Sequence, residues 1–249
     1  MNTVTASLLS WLLLPVALIK GLGVRKTAPR LPPPPGLPRG QIGEGPAEIR
    51  LLVIGDSSAA GVGAAEIDQT LGPQLSALLH QATRKPVSWR TAGANSAIAE
   101  QIRDHVVPNI EERDFTHVVL TVGTNDAKNY VTRARFKKGF GGLLYAAHAR
   151  WPEAKIFWSP VVDMRGVPAL PPALAFILSL RVQIINAMGA QLCRERYATA
   201  VEPLPIEGPE GFAVDGFHAN AAGYQHWAAH LARIMLAETP APSSSRRSE

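Results

Sequence analysis

Ile54-Gly55-Asp56-Ser57 closes an apolar run, Leu51 to Ile54, and opens into the small-residue stretch Ser58-Ala59-Ala60-Gly61-Val62-Gly63. A serine hydroxyl therefore stands where a buried strand would meet a turn. Serine is a poor nucleophile at neutral pH and attacks a carbonyl only when a base within hydrogen-bond reach takes its proton. Much later the chain supplies Asp215-Gly216-Phe217-His218, an imidazole with a carboxylate three residues before it. In that pairing His218 is the base, and Asp215 accepts the other ring N–H, holding the tautomer and stabilising the imidazolium. Gly93 in Thr-Ala-Gly-Ala-Asn and Asn125 in Val-Gly-Thr-Asn-Asp complete the set. The backbone N–H groups of Ser57 and Gly93 and the side-chain amide of Asn125 can receive the oxyanion of a tetrahedral intermediate. Gly93 suits that place because a residue without Cβ lets the backbone come close to a substrate. Taken singly, Gly-Asp-Ser marks a turn, and Asp-x-x-His reads as a loop hydrogen bond or as half of a metal site. His80, His105, His117, His148, His226 and His230 are scattered, however, and form no ligand cluster, so neither a metal nor a cofactor is called for.

Alternating strands and helices must position these groups. Five runs have strand character: Ile49 to Ile54, Val87 to Thr91, His117 to Val122, Lys155 to Ser159 and Thr199 to Leu204. Three are nearly continuous apolar stretches, as in strands covered on both faces. Between them apolar residues recur at helical spacing, as in Leu71, Leu75, Leu78 and Leu79, or Phe136, Phe140, Leu143 and Leu144, and a last helix starts at Asn220 as its N-cap. Right-handed crossovers then predict a flavodoxin-like, three-layer α/β/α sandwich around a five-stranded parallel sheet of order 2-1-3-4-5. In such a sheet the loops at the carboxyl ends of the strands line the ligand crevice. All five candidate residues fall in those loops.

The length suits one domain, read here as residues 48–238, and the lone Cys193 excludes an intrachain disulfide scaffold. The formal charge of +5 resides in the first forty residues, which hold Lys20, Arg25, Lys26, Arg30 and Arg39 and no acid; the remainder balances, 20 basic against 20 acidic. No nucleic-acid partner is expected of such a body. Val4 to Ile19 is uncharged and rich in Leu, with all nearby basic residues on its C-terminal side. We read residues 1–27 as an uncleaved membrane anchor with its basic flank, and the positive-inside tendency places the following domain in the cytoplasm. An interfacial helix and an atypical signal sequence are the alternatives. Residues 28–47, with Pro32 to Pro35, read as a polyproline II spacer that holds the body off the membrane, and residues 239–249 as a disordered tail.

The blocks GDSSAAG, TAGANS, VGTND and DGFHANAAGY, in this order, resemble the four motif blocks of the SGNH (GDSL-type) hydrolases, over roughly Ile49 to Leu236. The resemblance implies the three-layer fold and an activity among the serine esterases, lipases, thioesterases and carbohydrate deacetylases. It gives Ser57, Gly93, Asn125 and His218 the four family roles, with Asp215 completing a triad. Ser58 stands where many members have Leu, and Ala219 replaces a common Pro. Ser58 puts a second hydroxyl beside the first; Ser57 holds the third place of the Gly-Asp-Ser block. Asp56 and Asp126 read as braces that accept N–H bonds within their loops.

The apolar, proline-stiffened segment after the fourth strand, Val161 to Pro172, must overhang the crevice. With Met164, Val167 and Leu170, and with Phe217 from the histidine loop, it would wall an acyl chain; it would equally pack on the following helix. The expected partner is a small acyl ester, and the apolar N-terminus adds weight to a lipid-derived one. An acyltransferase would use the same acyl-enzyme. A flavodoxin-like phosphate-binding module is the non-enzymatic alternative, against which Gly55 to Gly63 lacks a Gly-Lys-Ser/Thr ending.

Overall fold

Leu51 and Val53 lie on one face of the central strand, Leu52 and Ile54 on the other, and all four are fully buried. That is why the run carries no polar alternation: helices cover both faces. The computed structural model describes residues 2–206 and 208–238. Its strands are β1 (Arg39–Ile42), β2 (Ile49–Gly55), β3 (Val87–Gly93), β4 (His117–Thr121), β5 (Lys155–Trp158) and β6 (Ala198–Ala200). They form one sheet in the order β1-β3-β2-β4-β5-β6. The five parallel strands keep the expected 2-1-3-4-5 order.

Two features of the sheet correct the sequence reading. A sixth strand, β1, pairs antiparallel with β3, Gly40 opposite Trp89. It comes from the segment read as a spacer, and Arg-Gly-Gln-Ile carries no period that would announce a strand. The preceding prolines also lie on the body: the Thr91 N–H donates to the Pro38 carbonyl at 2.8 Å, and Pro34 packs beside Gly61. Residues 34–42 thus cover the β3 edge instead of standing off it. The last strand is only three residues long. Pro203 and Pro205 have no N–H to continue the ladder, and the chain leaves the sheet after the Val201 N–H bonds to the Trp158 carbonyl.

On one face lie α3 (Leu71–Thr83) and α8 (Ala221–Ala237), packed with Leu51, Val53 and Tyr224. Asn220 caps α8, its side-chain Oδ1 accepting the Gly223 N–H at 3.0 Å. On the other face lie α4 (Ala99–Gln101), which widens into a loosely wound turn ended at Pro108, and then α6 (Arg133–Arg150) and α7 (Pro172–Glu195). A short helix, α5 (Thr124–Lys128), follows β4 directly. The tail beyond residue 238 lies outside the described residues.

The N-terminal apolar run is not one rod. It forms α1 (Thr3–Leu12) and α2 (Leu14–Thr27), bent by 68° at Leu13 just ahead of Pro15. α1 is seated on α7: Ala6 packs with Leu180 and Ile184, and the Tyr130 hydroxyl donates to the Ser10 carbonyl at 3.3 Å. Beneath it Arg181 is buried, its guanidinium 5.7 Å from the Trp11 ring and 5.0 Å from the Tyr130 ring, donating to the Val131 carbonyl. α7 is itself long and apolar enough to cross a membrane, but it is largely buried as the core helix of the body. α1 and α2 meet that length only when counted together across their bend.

Trp158 transmits packing to the strand ends. Its indole N–H donates to the Val122 carbonyl at 3.0 Å, and its ring lies over Phe140. Gly189 of α7 makes room for it, since a Cβ there would run into the indole. In a helix Gly to Ala normally gains about 1 kcal/mol, but overpacking a rigid, buried ring costs about 1 to 3 kcal/mol. Gly189→Ala is therefore expected to lower unfolding stability by up to about 2 kcal/mol in urea melts; a stabilised variant would contradict the packing argument.

Candidate active site

Three strands deliver their carboxyl ends to one rim. β2 ends at Gly55 and hands on Asp56 and Ser57, β3 ends at Gly93, and β4 leads through Gly123 into α5, which carries Asn125. The fourth contribution is a closed loop. Phe212 and Ala219 bridge in antiparallel fashion, the Ala213 N–H donates to the His218 carbonyl at 2.7 Å, and Gly216 takes a positive φ at the tip. Within it Asp215 Oδ1 accepts the backbone N–H groups of Phe217 and His218, at 2.9 and 3.0 Å. The three-residue offset thereby folds the carboxylate onto the imidazole of its own loop.

The side chains converge. Asp215 Oδ2 lies 2.5 Å from His218 Nδ1, and His218 Nε2 lies 3.1 Å from Ser57 Oγ. With Nδ1–H given to the carboxylate, Nε2 carries its lone pair towards the serine hydroxyl, as proton removal requires. Ser57 and Asp215 are buried, and His218 is partly exposed. Burial would raise the Asp215 carboxyl, but the hydrogen bonds from His218 and from the two backbone N–H groups outweigh it and hold the group below its ordinary value. Ser58 is otherwise engaged: its hydroxyl and N–H both donate to Asp56 Oδ1, at 2.9 and 3.1 Å. The second hydroxyl is thus held by Asp56, while that of Ser57 faces the imidazole.

Asp56 and Asp126 are buried braces. Asp56 Oδ2 accepts Asn125 Nδ2 at 3.1 Å, and Asp126 Oδ2 accepts the Ala99 N–H at 3.1 Å. Asn125 Nδ2 donates also to the Ala97 carbonyl at 3.1 Å, so both of its hydrogens have partners. To receive an oxyanion it must share or exchange one of them. At Gly93 the structure changes the reason for the glycine: a Cβ would strike the backbone of Ala59 and Ala60, so the missing side chain lets the serine loop close over the β3 end.

Two cavities meet at Ser57 and His218. The smaller, about 300 Å³, is mostly apolar and runs past Met164, Val167, Ile206, Phe217 and Trp227. The larger, about 770 Å³, is lined by Met164, Leu170, Leu174 and Phe217 and also by residues of α2. The four residues assigned to a substrate wall thus divide between them, Met164 and Phe217 standing at both. Trp227, Ile206 and the α2 residues were missed; Trp227 reads only as a core position of its helix, and α2 only as anchor. Among the described residues no three His, Cys, Asp or Glu side chains stand close enough to hold a metal ion.

Residues 53–226 match the model of the GDSL-like lipase/acylhydrolase family, and the chain belongs to that family. It is a GDSL-type hydrolase of the esterase and lipase class. No curated protein matches it. Similar solved structures include TesA (18% identity, TM-score 0.61, covering 75% of this chain and 97% of that one). Another is a catalytic mutant of Axe2, an acetylxylan esterase from Geobacillus stearothermophilus (15%, 0.59, 77% and 94%). A third is phospholipase A1 from Streptomyces albidoflavus (12%, 0.55, 78% and 100%). At these identities the likeness is one of fold.

Burial pushes the Asp126 carboxyl from its ordinary 3.8 up to about 6, the bond from Ala99 only partly opposing it. A carboxyl raised in the folded state contributes fully below the unfolded value, and that contribution is lost as the pH climbs through about 6. Asp126→Asn is therefore expected to be more stable than the parent at pH 8, by up to about 3 kcal/mol, with no difference near pH 3. Urea melts at the two pH values check this; equal stability at pH 8 would refute it.

Proposed function

We propose that this hydrolase cleaves carboxylic esters of apolar acyl groups through an acyl-enzyme on Ser57. The observation that carries the reading is the carboxylate–imidazole–hydroxyl chain, 2.5 and 3.1 Å in its two links, opening onto apolar cavities. His218 Nε2 takes the Ser57 proton as Oγ attacks the carbonyl carbon, and Asp215 stabilises the imidazolium. His218 then passes that proton to the departing alkoxide. A water then gives its proton to His218 as its oxygen attacks the acyl carbon, and His218 returns that proton to Ser57 Oγ as the bond to the acyl group breaks and the acid leaves.

The oxyanion is met by the backbone N–H groups of Ser57 and Gly93 and by Asn125. For Asn125 to take part, its bond to the Ala97 carbonyl must loosen as charge develops, while the bond to Asp56 keeps the amide in place. A lipid-derived ester is favoured by the apolar lining of both cavities and by the exposed apolar residues of α1 and α2. We place the enzyme at a membrane through this N-terminal segment. The basic residues after the apolar run favour the anionic cytoplasmic leaflet.

Hydrolysis of p-nitrophenyl esters from acetate to dodecanoate tests the assignment. Ser57→Ala and His218→Ala are expected to lose turnover by about 10³-fold or more and to lose fluorophosphonate labelling. Asn125→Ala is expected to lower kcat by about 10²- to 10³-fold with little change in KM, the signature of a transition-state donor. Undiminished labelling of Ser57→Ala would show that another nucleophile operates.

A further inference from the structure

The apolar surface of this molecule is concentrated on one device. Among the described residues, eight of the thirteen large apolar side chains that stand exposed belong to α1 and α2, Leu8, Leu12, Val16, Leu18, Ile19 and Leu22 among them. Patches of that kind on a folded chain mark a docking surface. The other face of the same pair is committed to the body, Ala6 and Leu9 on α7, Ser10 buried beside Tyr130, and Ala17 in the core. Neither helix reaches across a bilayer: ten and fourteen residues give about 15 and 21 Å, against a hydrocarbon core of about 30 Å. With the 68° bend between them and α1 fixed to α7, the pair cannot straighten into one span without leaving the fold.

The same α2 also borders the larger cavity. Ala17, Leu18, Gly21, Leu22 and Val24 line it together with Ser57, Asn125 and His218. Leu18 and Leu22 are each 58% exposed while lining that cavity, so they stand at its mouth, continuous with the outward apolar face. Lys20, Arg25, Lys26 and Arg30 are all exposed around this surface, and no acid precedes Glu44. That charge is complementary to anionic headgroups and to no apolar protein groove in particular.

We infer that α1 and α2 lie in the plane of an anionic lipid surface as a monotopic bent pair, and that α2 walls the path by which a membrane-borne acyl ester reaches Ser57. The pair is both the docking surface and part of the substrate cavity. This deepens the ester-hydrolase reading above and rests on it for the second half only; docking stands independently of catalysis.

The test uses the full-length protein, with vesicles of phosphatidylglycerol and phosphatidylethanolamine or of phosphatidylcholine alone. The parent is expected to float with the anionic vesicles and to hydrolyse a vesicle-embedded monoacylglycerol as well as water-soluble p-nitrophenyl butyrate. Leu8→Glu/Leu12→Glu/Ile19→Glu, all outside the cavity, is expected to lose flotation and at least tenfold of the embedded-ester activity while keeping butyrate hydrolysis. Lys20→Glu/Arg25→Glu serves as a second probe and is expected to weaken flotation on the anionic vesicles selectively. Gly21→Phe, where a Cβ meets open space, is expected to lower the dodecanoate to butyrate ratio of kcat/KM at least tenfold.

Unchanged flotation of both surface variants, or a mature protein that has lost α1 and α2 by cleavage, would overturn docking. An unchanged chain-length ratio in Gly21→Phe would overturn the cavity wall. A parent that floats but hydrolyses no ester would leave docking in place and sink the reading of the site as an esterase.

Discussion

The hydrogen bond between Ser57 Oγ and His218 Nε2 joins the strand-end loop of β2 to the loop after β6, across 161 residues of chain. Neither group is strongly reactive alone, and their separation must hold to a few tenths of an ångström for a proton to move between them. The fold meets this demand from both sides. The serine loop is tied by Asp56 to Ser58 and Asn125, and the Tyr224 hydroxyl, from the start of α8, donates to the Val62 carbonyl at 2.9 Å. The histidine loop is tied to itself by Asp215, by the bridge at Phe212 and Ala219, and by Asn220, whose amide donates to the carbonyls of Glu210 and Phe212. Tyr224 and Asn220 are neighbours in sequence, so a single helix start positions both halves.

Buried carboxylates do much of this work, at an electrostatic cost. Burial raises both Asp56 and Asp126 above the ordinary carboxylate range, the Ser58 bonds opposing this at Asp56 and the Ala99 bond opposing it at Asp126. An apolar residue in either place would leave the N–H groups that these carboxylates accept without a partner. What the carboxylates supply is direction: Asp56 orients Asn125 and keeps the Ser58 hydroxyl turned from the imidazole. The stability forgone at the rim is the counterpart of an amide and a hydroxyl held ready, a pattern common where polar groups are prearranged for reaction.

Much of this was readable from the residues because chemistry and strand ends coincide in the chain. Ser57, Gly93 and Asn125 sit at or just past strand ends and Asp215 and His218 in the loop that follows the last strand, and parallel strands must send those ends to one rim. The parts that were not readable lack such a signal. Arg39–Ile42 forms a strand only because the β3 edge is there to pair with it. The fifth parallel strand is cut short by prolines whose effect depends on where the ladder would run. The role of Gly93 is visible only once Ala60 is seen against it. In the N-terminal run hydropathy is plain, but hydropathy is blind to direction. The same leucines read equally as a span, a signal or an interfacial helix until the bend at Leu13 and the seat on α7 are known.

That last ambiguity bears on substrate choice. A catalytic rim open to water admits any ester that diffuses to it, and its preference is then set by the pocket alone. Here the larger cavity has one wall from the body and one from α2, whose outer surface is apolar and bordered by cations. An ester dissolved in a lipid layer would meet that wall without exposing its chain to water, so the about 0.8 kcal/mol per methylene that holds it in the layer need not be lost on the way to Ser57. A soluble ester would gain nothing from α2. On the proposed reading the enzyme would discriminate by where a substrate resides before it discriminates by shape, and the smaller cavity at Met164 and Phe217 would do the second sorting.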